Sequence, residues 1–434
     1  MGQVVVNVGA AERRFEAYLD AILGELGHVG RAAPARAYCQ GLLLPGERKS
    51  VEPMAARLDP ARVQAAHQSL HHVVAKADWS DEAVLAAVRQ EVLPLIERHG
   101  PITHWIVDDT SFPKKGRHSV GVARQYCGQI GKQDNCQVAV TLSVANEHAS
   151  LPVAYRLYLP EAWANDPAQR AKAGVPEEVA FQIKPQIALA QIRATLAAGI
   201  SPGIVLMDAG YGVDTHLRDE ISALGLLYVA GLQSSTSLWA PDMGPLPPKP
   251  WSGRGRLPTR MRRDEENQPL SAKAIATALP GKAWQAVTWR EGTNAPLASR
   301  FAAVRVRPAH RDTLRHEPRA EEWFLIEWPE GKVEPTKYWL STLPAETTIT
   351  ELVARAKARW RIERDYQELK QEIGLGHFEG RGWRGFHHHA TLCIAAYGFL
   401  VAERSFFPPE QRFARQRQAS ELPVSSQRRG TAPA

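Results

Sequence analysis

The sequence contains few cysteines and no apolar run long enough to cross a membrane. Only four of its 434 residues are cysteine, and none belongs to a CxxC pair. This pattern excludes a dense disulfide framework, gives no indication of a cysteine zinc site, and favours reduced thiols in a cytosolic protein. The longest apolar run, ATLCIAAYGFLVA at 390–402, is shorter than the roughly 20 residues of a membrane-spanning helix and predicts a buried helix.

Targeting signals are also lacking. The opening MGQVVVNVGAAERRFEAYLD does not show the charged, apolar and cleavage regions of a signal peptide, and Val6 stands where a myristoylation motif needs serine or threonine. We therefore expect a protein that stays where it is made and has no membrane partner.

The charge is mixed, with a moderate basic excess. Lysine and arginine total 53 against 46 acidic residues, which gives a net charge of +7, and 44% of the residues are apolar. These values are typical of a globular chain with a substantial core and exclude a wholly disordered one. The basic excess is compatible with a polyanionic partner, but charge alone does not identify one.

Periodicity divides the chain into five consecutive segments with an overall α/β pattern. Residues 1–100 predict a helical N-terminal domain, and residues 101–235 alternate strands and helices. Residues 236–345 begin with a stretch rich in Pro, Gly and Arg and continue as antiparallel strands, and residues 346–403 return to helices. Residues 404–434 are basic, rich in Pro, Gln and Ser, and expected to be disordered.

Several elements are predicted within these segments. THWIVDD, NCQVAVTLSVAN and LPVAYRLYLP predict a strand followed by a hairpin, and DEAVLAAVRQEVLPLIERHG predicts a helix that begins at a WSDE cap. EEVAFQIKPQIALAQIRATLAAG predicts one long helix ending at Gly199, and TTITELVARAKARWRIERDYQELKQEIG predicts another ending at Gly374. ISPGIVLMDAGYG predicts a short buried strand that ends in Asp208.

Acidic residues lie at the ends of two predicted strands and on one predicted helix. Asp108 and Asp109 lie at the predicted tip of the first strand, Asp208 follows a later strand, and Glu363 lies on a late helix. Carboxylate oxygens suit Mg²⁺ and Mn²⁺, and two such ions can promote in-line displacement at phosphorus. Each position also has an ordinary interpretation: a turn at 108–109, a helix N-cap at 208, and a salt bridge to Arg359 at 363.

The ordered motifs VDDTSFPKKG, VLMDAGYG and RWRIERDYQELK resemble those of the DDE transposases of bacterial insertion sequences. The resemblance covers about residues 100–400, with the predicted strands between the second and third motifs. The third motif is the most specific, because the family places arginine four residues before the catalytic glutamate and lysine seven after it, as in Arg359, Glu363 and Lys370. The family also tends to carry tyrosine three residues before that arginine, where this sequence has Ala356.

The resemblance implies the fold and the architecture. It implies an RNase H-like catalytic core, whose first part is residues 101–235 and whose final helices are residues 346–403, interrupted by a β-rich insertion at 236–345. The helical domain at 1–100 is expected to bind DNA. The protein would be cytoplasmic, bacterial and nucleoid-associated.

The resemblance also implies the reaction and the residues that carry it out. Asp108, Asp208 and Glu363 would be the catalytic residues and would bind Mg²⁺, for which Mn²⁺ can substitute. The family pattern aligns Asp108, in preference to Asp109, with its first aspartate. Cut-and-paste transposition would then follow, with cleavage at the element ends and strand transfer into target DNA.

Four basic residues are expected to contact DNA: Arg359, Lys370, Lys114 and Lys115. On one continuous helix, Arg359 lies one turn before Glu363, and Lys370 lies two turns after it at a similar angle. The partners implied are the terminal inverted repeats, target DNA and a second copy of the chain in a homodimer that pairs two ends.

Two other functions and one other motif were weighed. An RNase H-like nuclease of repair or defence would cut without joining, and a catalytically silent DNA-binding protein would do neither; the acidic triad argues against the latter. The run His387–His389 contains metal-binding residue types, but consecutive helical side chains point in different directions. We therefore expect these histidines to be structural or to contact DNA.

Overall fold

Five helices precede the first strand. The structure, a computed structural model, describes residues 8–290 and 297–406. The helices are α1 (Val8–Leu23), α2 (Val29–Leu43), α3 (Val51–Leu58), α4 (Val63–Ala75) and α5 (Asp81–Glu97). Ser80 caps α5, because its Oγ accepts the backbone N–H of Ala83 at 3.1 Å. The cap predicted from the WSDE motif is therefore confirmed.

A long strand and a hairpin follow. The strands are β1 (His104–Pro113), β2 (Ala123–Cys127), β3 (Lys132–Ala145) and β4 (Ser150–Leu157). β3 is antiparallel to β1, and β2 and β4 pair with its other edge. The hairpin is confirmed, whereas β2 was not predicted. The prediction that β1 ends at Asp108 and Asp109 is wrong, because pairing with β3 continues as far as Pro113 opposite Cys136.

Parallel pairing begins after three helices. These are α6 (Glu161–Ala164), α7 (Pro167–Ala173) and α8 (Lys184–Ala197), followed by β5 (Ile204–Met207), α9 (Ala209–Gly212), α10 (Thr215–Ala223) and β6 (Tyr228–Leu232). The helix predicted for 177–199 begins only at Lys184, because Pro185 fits the first turn of a helix but lacks the N–H needed in its interior. β5 pairs in parallel with β1 on one side and β6 on the other, giving the order β4–β3–β1–β5–β6.

The same sheet continues through six further strands. The elements of this segment are β7 (Ser237–Trp239), β8 (Leu270–Ser271), α11 (Ala272–Ala278), β9 (Gln285–Arg290), β10 (Leu297–Pro308), β11 (Glu322–Trp328) and β12 (Lys337–Ser341). β12 is antiparallel to β6, and β11 and then β10 follow outward, with β9 and β7 pairing with β10. The four antiparallel strands predicted between 284 and 342 are confirmed.

The last helices differ from the single helix predicted before Gly374. They are α12 (Ile349–Lys357), α13 (Trp360–Glu368) and α14 (Trp383–Phe406). Between α12 and α13 the hydrogen bonds change to three-residue spacing, as in the bond from Arg361 N–H to Ala358 O at 3.3 Å. A π-helical turn, Leu369–Ile373, then leads to Gly374, whose φ of +86° ends the helix as predicted.

The buried helix predicted at 390–402 is confirmed as part of α14. It packs against α2, α4 and α5, and one hydrophobic cluster includes residues of these helices and of the sheet. Across residues 8–290 and 297–406, no helix has both the length and the apolar character required to cross a membrane. Residues 407–434 of the tail predicted at 404–434 lie outside the described residues.

Candidate active site

Asp108 and Asp208 emerge next to each other from two parallel strands. β1 pairs with β5 only from His104 to Ile106, so Asp108 lies just beyond the end of this pairing. β5 ends at Met207, and Asp208 follows immediately. In α/β sheets, the carboxyl ends of neighbouring parallel strands form the usual ligand-binding edge. The fold therefore places both aspartates at this edge.

Asp208 also caps α9, so the structural interpretation of this residue is confirmed, and its proposed function stays a prediction. Its Oδ1 accepts the backbone N–H groups of Gly210 at 2.9 Å and Tyr211 at 3.2 Å. α9 lies directly on β6: a Cβ atom at Gly212 would stand only 2.0 Å from the carbonyl oxygen of Gly231. Because no side chain fits there, glycine permits the close contact that holds the capped turn in place.

Arg359 lies among the three predicted catalytic carboxylates. Its Nη1 donates to Asp108 Oδ2 at 2.7 Å, and its Nη2 lies 3.4 Å from Glu363 Oε1. Asp108 and Arg359 are largely buried, whereas the side chain of Glu363 is 64% exposed. Two of the three acids, Asp108 and Glu363, thus contact one guanidinium group, and Asp208 lines the same cleft as Arg359 and Glu363.

The electrostatics of the site reflect an excess of negative charge. Burial raises the pKa of Asp108 to about 6, against the lowering effect of Arg359, and the charge of Asp208 raises it further. Burial lowers the pKa of Arg359, but Asp108, Asp208 and Glu363 together more than offset this, and its pKa is raised. The positive charge of Arg359 therefore only partly neutralises the negative charge of these acids.

The oxygen donors fit a hard divalent cation, but the side chains are arranged around Arg359. Carboxylates are the ligand type that Mg²⁺ and Mn²⁺ prefer. In the described part of the chain, no three His, Cys, Asp or Glu side chains are already arranged to hold a metal ion. Since Arg359 binds Asp108 and Glu363, an ion held by these two residues competes with the guanidinium for the same oxygens.

Asp109 has a different environment from its neighbour. Its Oδ2 accepts from Lys184 Nζ at 2.6 Å, and its Oδ1 accepts from the hydroxyl of Tyr211. Both oxygens are therefore engaged by groups of the protein. Both oxygens of Asp108 are also engaged, one by Arg359 and the other by the backbone N–H of Asp109 at 2.9 Å, so the choice of Asp108 over Asp109 as a ligand stays a prediction.

Two of the predicted DNA-binding lysines, Lys370 and Lys114, donate to backbone carbonyls, and their contact with DNA stays a prediction. Lys370 Nζ donates to the carbonyl of Ser111 at 2.9 Å, because the π-helical turn places it differently from a residue on a regular α-helix. Lys114 Nζ donates to the carbonyl of Phe378 at 2.9 Å. Both amines therefore join β1 to the chain after α13, whereas Lys115 is exposed.

A cleft of about 480 Å³ opens beside the acids. Asp208, Arg359 and Glu363 line one side of it, and β12 lines the other with residues that include Trp339. Trp360 also lines the cleft, and the guanidinium of Arg290 lies 4.0 Å from the centre of its ring. Trp360 was not predicted as a site residue, although it stands within the RWRIE motif.

Comparison with known proteins gives two matches. A family model described as DDE superfamily endonuclease matches residues 22–296, which include Asp108 and Asp208 but not Glu363. The probable transposase for insertion sequence element IS701 of Microchaete diplosiphon is 30% identical over 169 residues. The aligned segment is 39% of this chain and 41% of that relative, so less than half of the relative is covered.

Proposed function

Because the chain belongs to the DDE superfamily endonucleases, we propose that it is a metal-dependent transposase of an insertion sequence. The resemblance read from the three acidic motifs is thereby confirmed at the level of the family. The proposed reaction is cleavage of the phosphodiester bond at each element end, followed by joining of the freed end to target DNA.

The convergence of three distant carboxylates on Arg359 carries this proposal. Asp108 and Asp208 project from neighbouring strands, and Glu363 is brought to them by α13. These residues would hold Mg²⁺ or Mn²⁺, which would supply charge stabilisation at the attacking and leaving oxygens. An excess of carboxylate charge in a cleft is the arrangement expected of such a site.

Arg359 has two successive roles in this proposal. Before the metal binds, its guanidinium neutralises Asp108 and Glu363, which limits their mutual repulsion. Once released from these acids, the planar guanidinium is free to bind a DNA phosphate. The role predicted for it as a phosphate contact therefore requires that it first leave the acids.

The order β4–β3–β1–β5–β6 supports an RNase H-like interpretation of the core. In this interpretation, residues 101–235 and 346–403 form the catalytic core, and residues 236–345 are an insertion that extends its sheet through β12. The helices of residues 1–100 are proposed to bind DNA, and a homodimer is proposed to pair the two element ends.

A strand-transfer assay tests the function. Purified protein would be incubated with Mg²⁺, duplex DNA from the ends of the genomic element that encodes the chain, and a supercoiled target plasmid. We expect cleavage at the ends and covalent joining to the plasmid, and both should stop when the metal is chelated. Cleavage without joining would support the nuclease alternative, and binding without cleavage would support the silent DNA-binding protein.

A further inference from the structure

Lys357, at the end of α12, reaches into the neighbouring antiparallel strands. Its Nζ donates to both carboxylate oxygens of Glu327, each at 2.7 Å. The side chains of Lys357 and Glu327 are only 14% and 5% exposed. This is therefore a two-oxygen ion pair that is almost entirely removed from solvent.

Aromatic rings surround the same amine. Lys357 Nζ lies 4.1 Å from the ring centre of Trp289, 5.5 Å from that of Phe301 and 5.7 Å from that of Trp339. These rings come from β9, β10 and β12, and Glu327 comes from β11. One ammonium group thus contacts four strands of the segment 236–345 through cation–π and ionic interactions.

The amine belongs to the chain segment that carries the acidic site. Lys357 lies two residues before Arg359 and six before Glu363, and it lines the same 480 Å³ cleft. The preceding turn of α12 is held by the core, since Arg355 Nη1 lies 3.4 Å from His104 Nε2. Arg355 is therefore attached to β1, whereas Lys357 is attached to β9–β12.

This attachment matters because the helix is interrupted between α12 and α13. Hydrogen bonding changes spacing at Ala358 and Arg359, directly after Lys357, so the direction of α13 is not fixed by one continuous α-helix. A fixed point immediately before the break restricts where Arg359 and Glu363 can lie.

We propose that Lys357 is a positioning residue, which ties the start of α13 to β9–β12 so that Glu363 faces the cleft shared with Asp208. This inference rests on the proposed function, because it concerns the placement of one of its metal ligands. The segment 236–345 then has a role in assembling the acidic site in addition to any contact with DNA.

The test removes the tie without leaving a buried charge. Lys357→Met retains the aliphatic stem, and pairing it with Glu327→Gln avoids an unpaired carboxylate. For the double variant we expect about a 10- to 100-fold loss in Mn²⁺ affinity and in single-turnover cleavage of end DNA, the range typical of residues that orient metal ligands. Affinity for end DNA without metal and the melting temperature should stay close to wild type.

A control lies in the same segment 236–345, where Lys273 of α11 pairs with Glu334 of the loop before β12. The ion pair of Lys273 with Glu334, at 2.5 Å, is roughly half exposed and does not line the cleft. The variant Lys273→Met with Glu334→Gln should keep wild-type Mn²⁺ affinity and cleavage. If the Lys357 double variant does not fold, Lys357→Arg alone provides the test, since it keeps the buried pair with Glu327 charge-balanced while changing the length of the tie, and it should give a smaller loss in the same two measurements.

Two outcomes are distinguishable. Wild-type Mn²⁺ affinity and cleavage in the folded Lys357 variant would overturn the positioning role and leave a packing contact. Unchanged Mn²⁺ affinity in Glu363→Gln would instead contradict the proposed metal site itself, whatever the result for Lys357.

Discussion

The acidic site and the run His387–His389 both contain residue types that bind metals, but their environments are opposite. All three histidines are buried in α14. His389 Nε2 faces the carbonyl of Gly374 at 3.1 Å while its Nδ1 meets the hydroxyl of Tyr38 at 2.8 Å, and His387 likewise has one carbonyl and one N–H partner. A neutral ring, with one nitrogen donating and one accepting, satisfies the contacts of His387 and His389. His388 faces two carbonyl oxygens, of Val74 at 3.2 Å and Trp79 at 2.9 Å, and a neutral ring can donate to only one of them.

The acids differ because their charges are not balanced within the protein. Three carboxylates act on one guanidinium, and one of them, Glu363, is mainly exposed to solvent. Polar groups that serve the fold are satisfied inside it, whereas groups that bind an external cation retain unbalanced charge. The comparison therefore distinguishes a buried histidine cluster from the proposed metal site.

Neutralising Asp208 should have the largest effect. Asp208→Asn keeps an equally good N-cap for α9 but removes a charge from the proposed metal site. We expect end cleavage to fall on the order of 1,000-fold, because several kcal/mol of charge stabilisation are lost. Single-turnover cleavage with Mg²⁺, alongside thermal melting, measures this. A folded variant that cuts at the wild-type rate would remove Asp208 from the site.

Asp108 and Asp109 provide the next test. Asp108→Asn should reduce cleavage by about 100-fold or more, as expected for a lost metal-site charge. Asp109→Asn should mainly affect stability, since Asp109 pairs with Lys184; we expect a loss of about 1 kcal/mol because this pair is partly exposed. Cleavage and chemical unfolding of both variants would be compared. Equal cleavage losses would mean that the choice between the neighbours is wrong.

The histidine run should show its structural character in the pH dependence of stability. Burial lowers the pKa of His389 to about 4, below the 6.5 expected when it is unfolded. The folded state therefore excludes a proton that the unfolded state binds, so stability falls as pH drops from about 6.5 towards 4. At pH 5.5 the stability lost through His389, relative to neutral pH, is on the order of 1 kcal/mol.

His389→Gln isolates that contribution, because an amide can also donate and accept but does not titrate. The free energy of unfolding would be measured by urea denaturation between about pH 4.5 and 7.5, a range that covers most of the transition between the pKa values of about 4 and 6.5. The variant should lose less stability than wild type on acidification, and neither protein should gain stability from added Zn²⁺. Identical pH profiles would mean that His389 titrates normally in the folded protein.

Sequence patterns located the acids because strand and helix periodicity depends on local spacing. The hairpin β3–β4, the strand ending before Asp208 and the buried helix α14 all follow from such patterns. β2 was missed because alternate residues are exposed and the strand has little apolar character. The start of α8 was misplaced because the apolar pattern continues upstream of Pro185.

The contacts within the site depended on tertiary structure and could not be predicted in the same way. The spacing of Arg359 and Glu363 correctly suggested that they are neighbours, but no local pattern indicated that Arg359 also binds Asp108. The regular α-helix assumed as far as Lys370 is wrong, because Leu369–Ile373 form a π-helical turn. Lys357 was missed because its partners come from four strands that precede it in the chain.

Replacing Arg359 should give the smallest effect and test whether it competes with the metal. Arg359→Gln removes the cation that binds Asp108 and Glu363. We expect Mn²⁺ affinity without DNA to rise about fivefold, which corresponds to the loss of a competing ion pair of about 1 kcal/mol. Titration calorimetry measures this, with Arg364→Gln as control, because Arg364 pairs with Glu368 on the same helix.

The same variant separates the two roles of Arg359 through the salt dependence of DNA binding. With Ca²⁺ in the acidic site, the released guanidinium should contact a phosphate, so Arg359→Gln should reduce the magnitude of the salt slope by about 1. Without a divalent ion, the guanidinium stays on Asp108 and the slopes of variant and wild type should agree. An equal reduction in both conditions would mean that Arg359 contacts DNA while it still holds the acids. Unchanged Mn²⁺ affinity would contradict the competition itself.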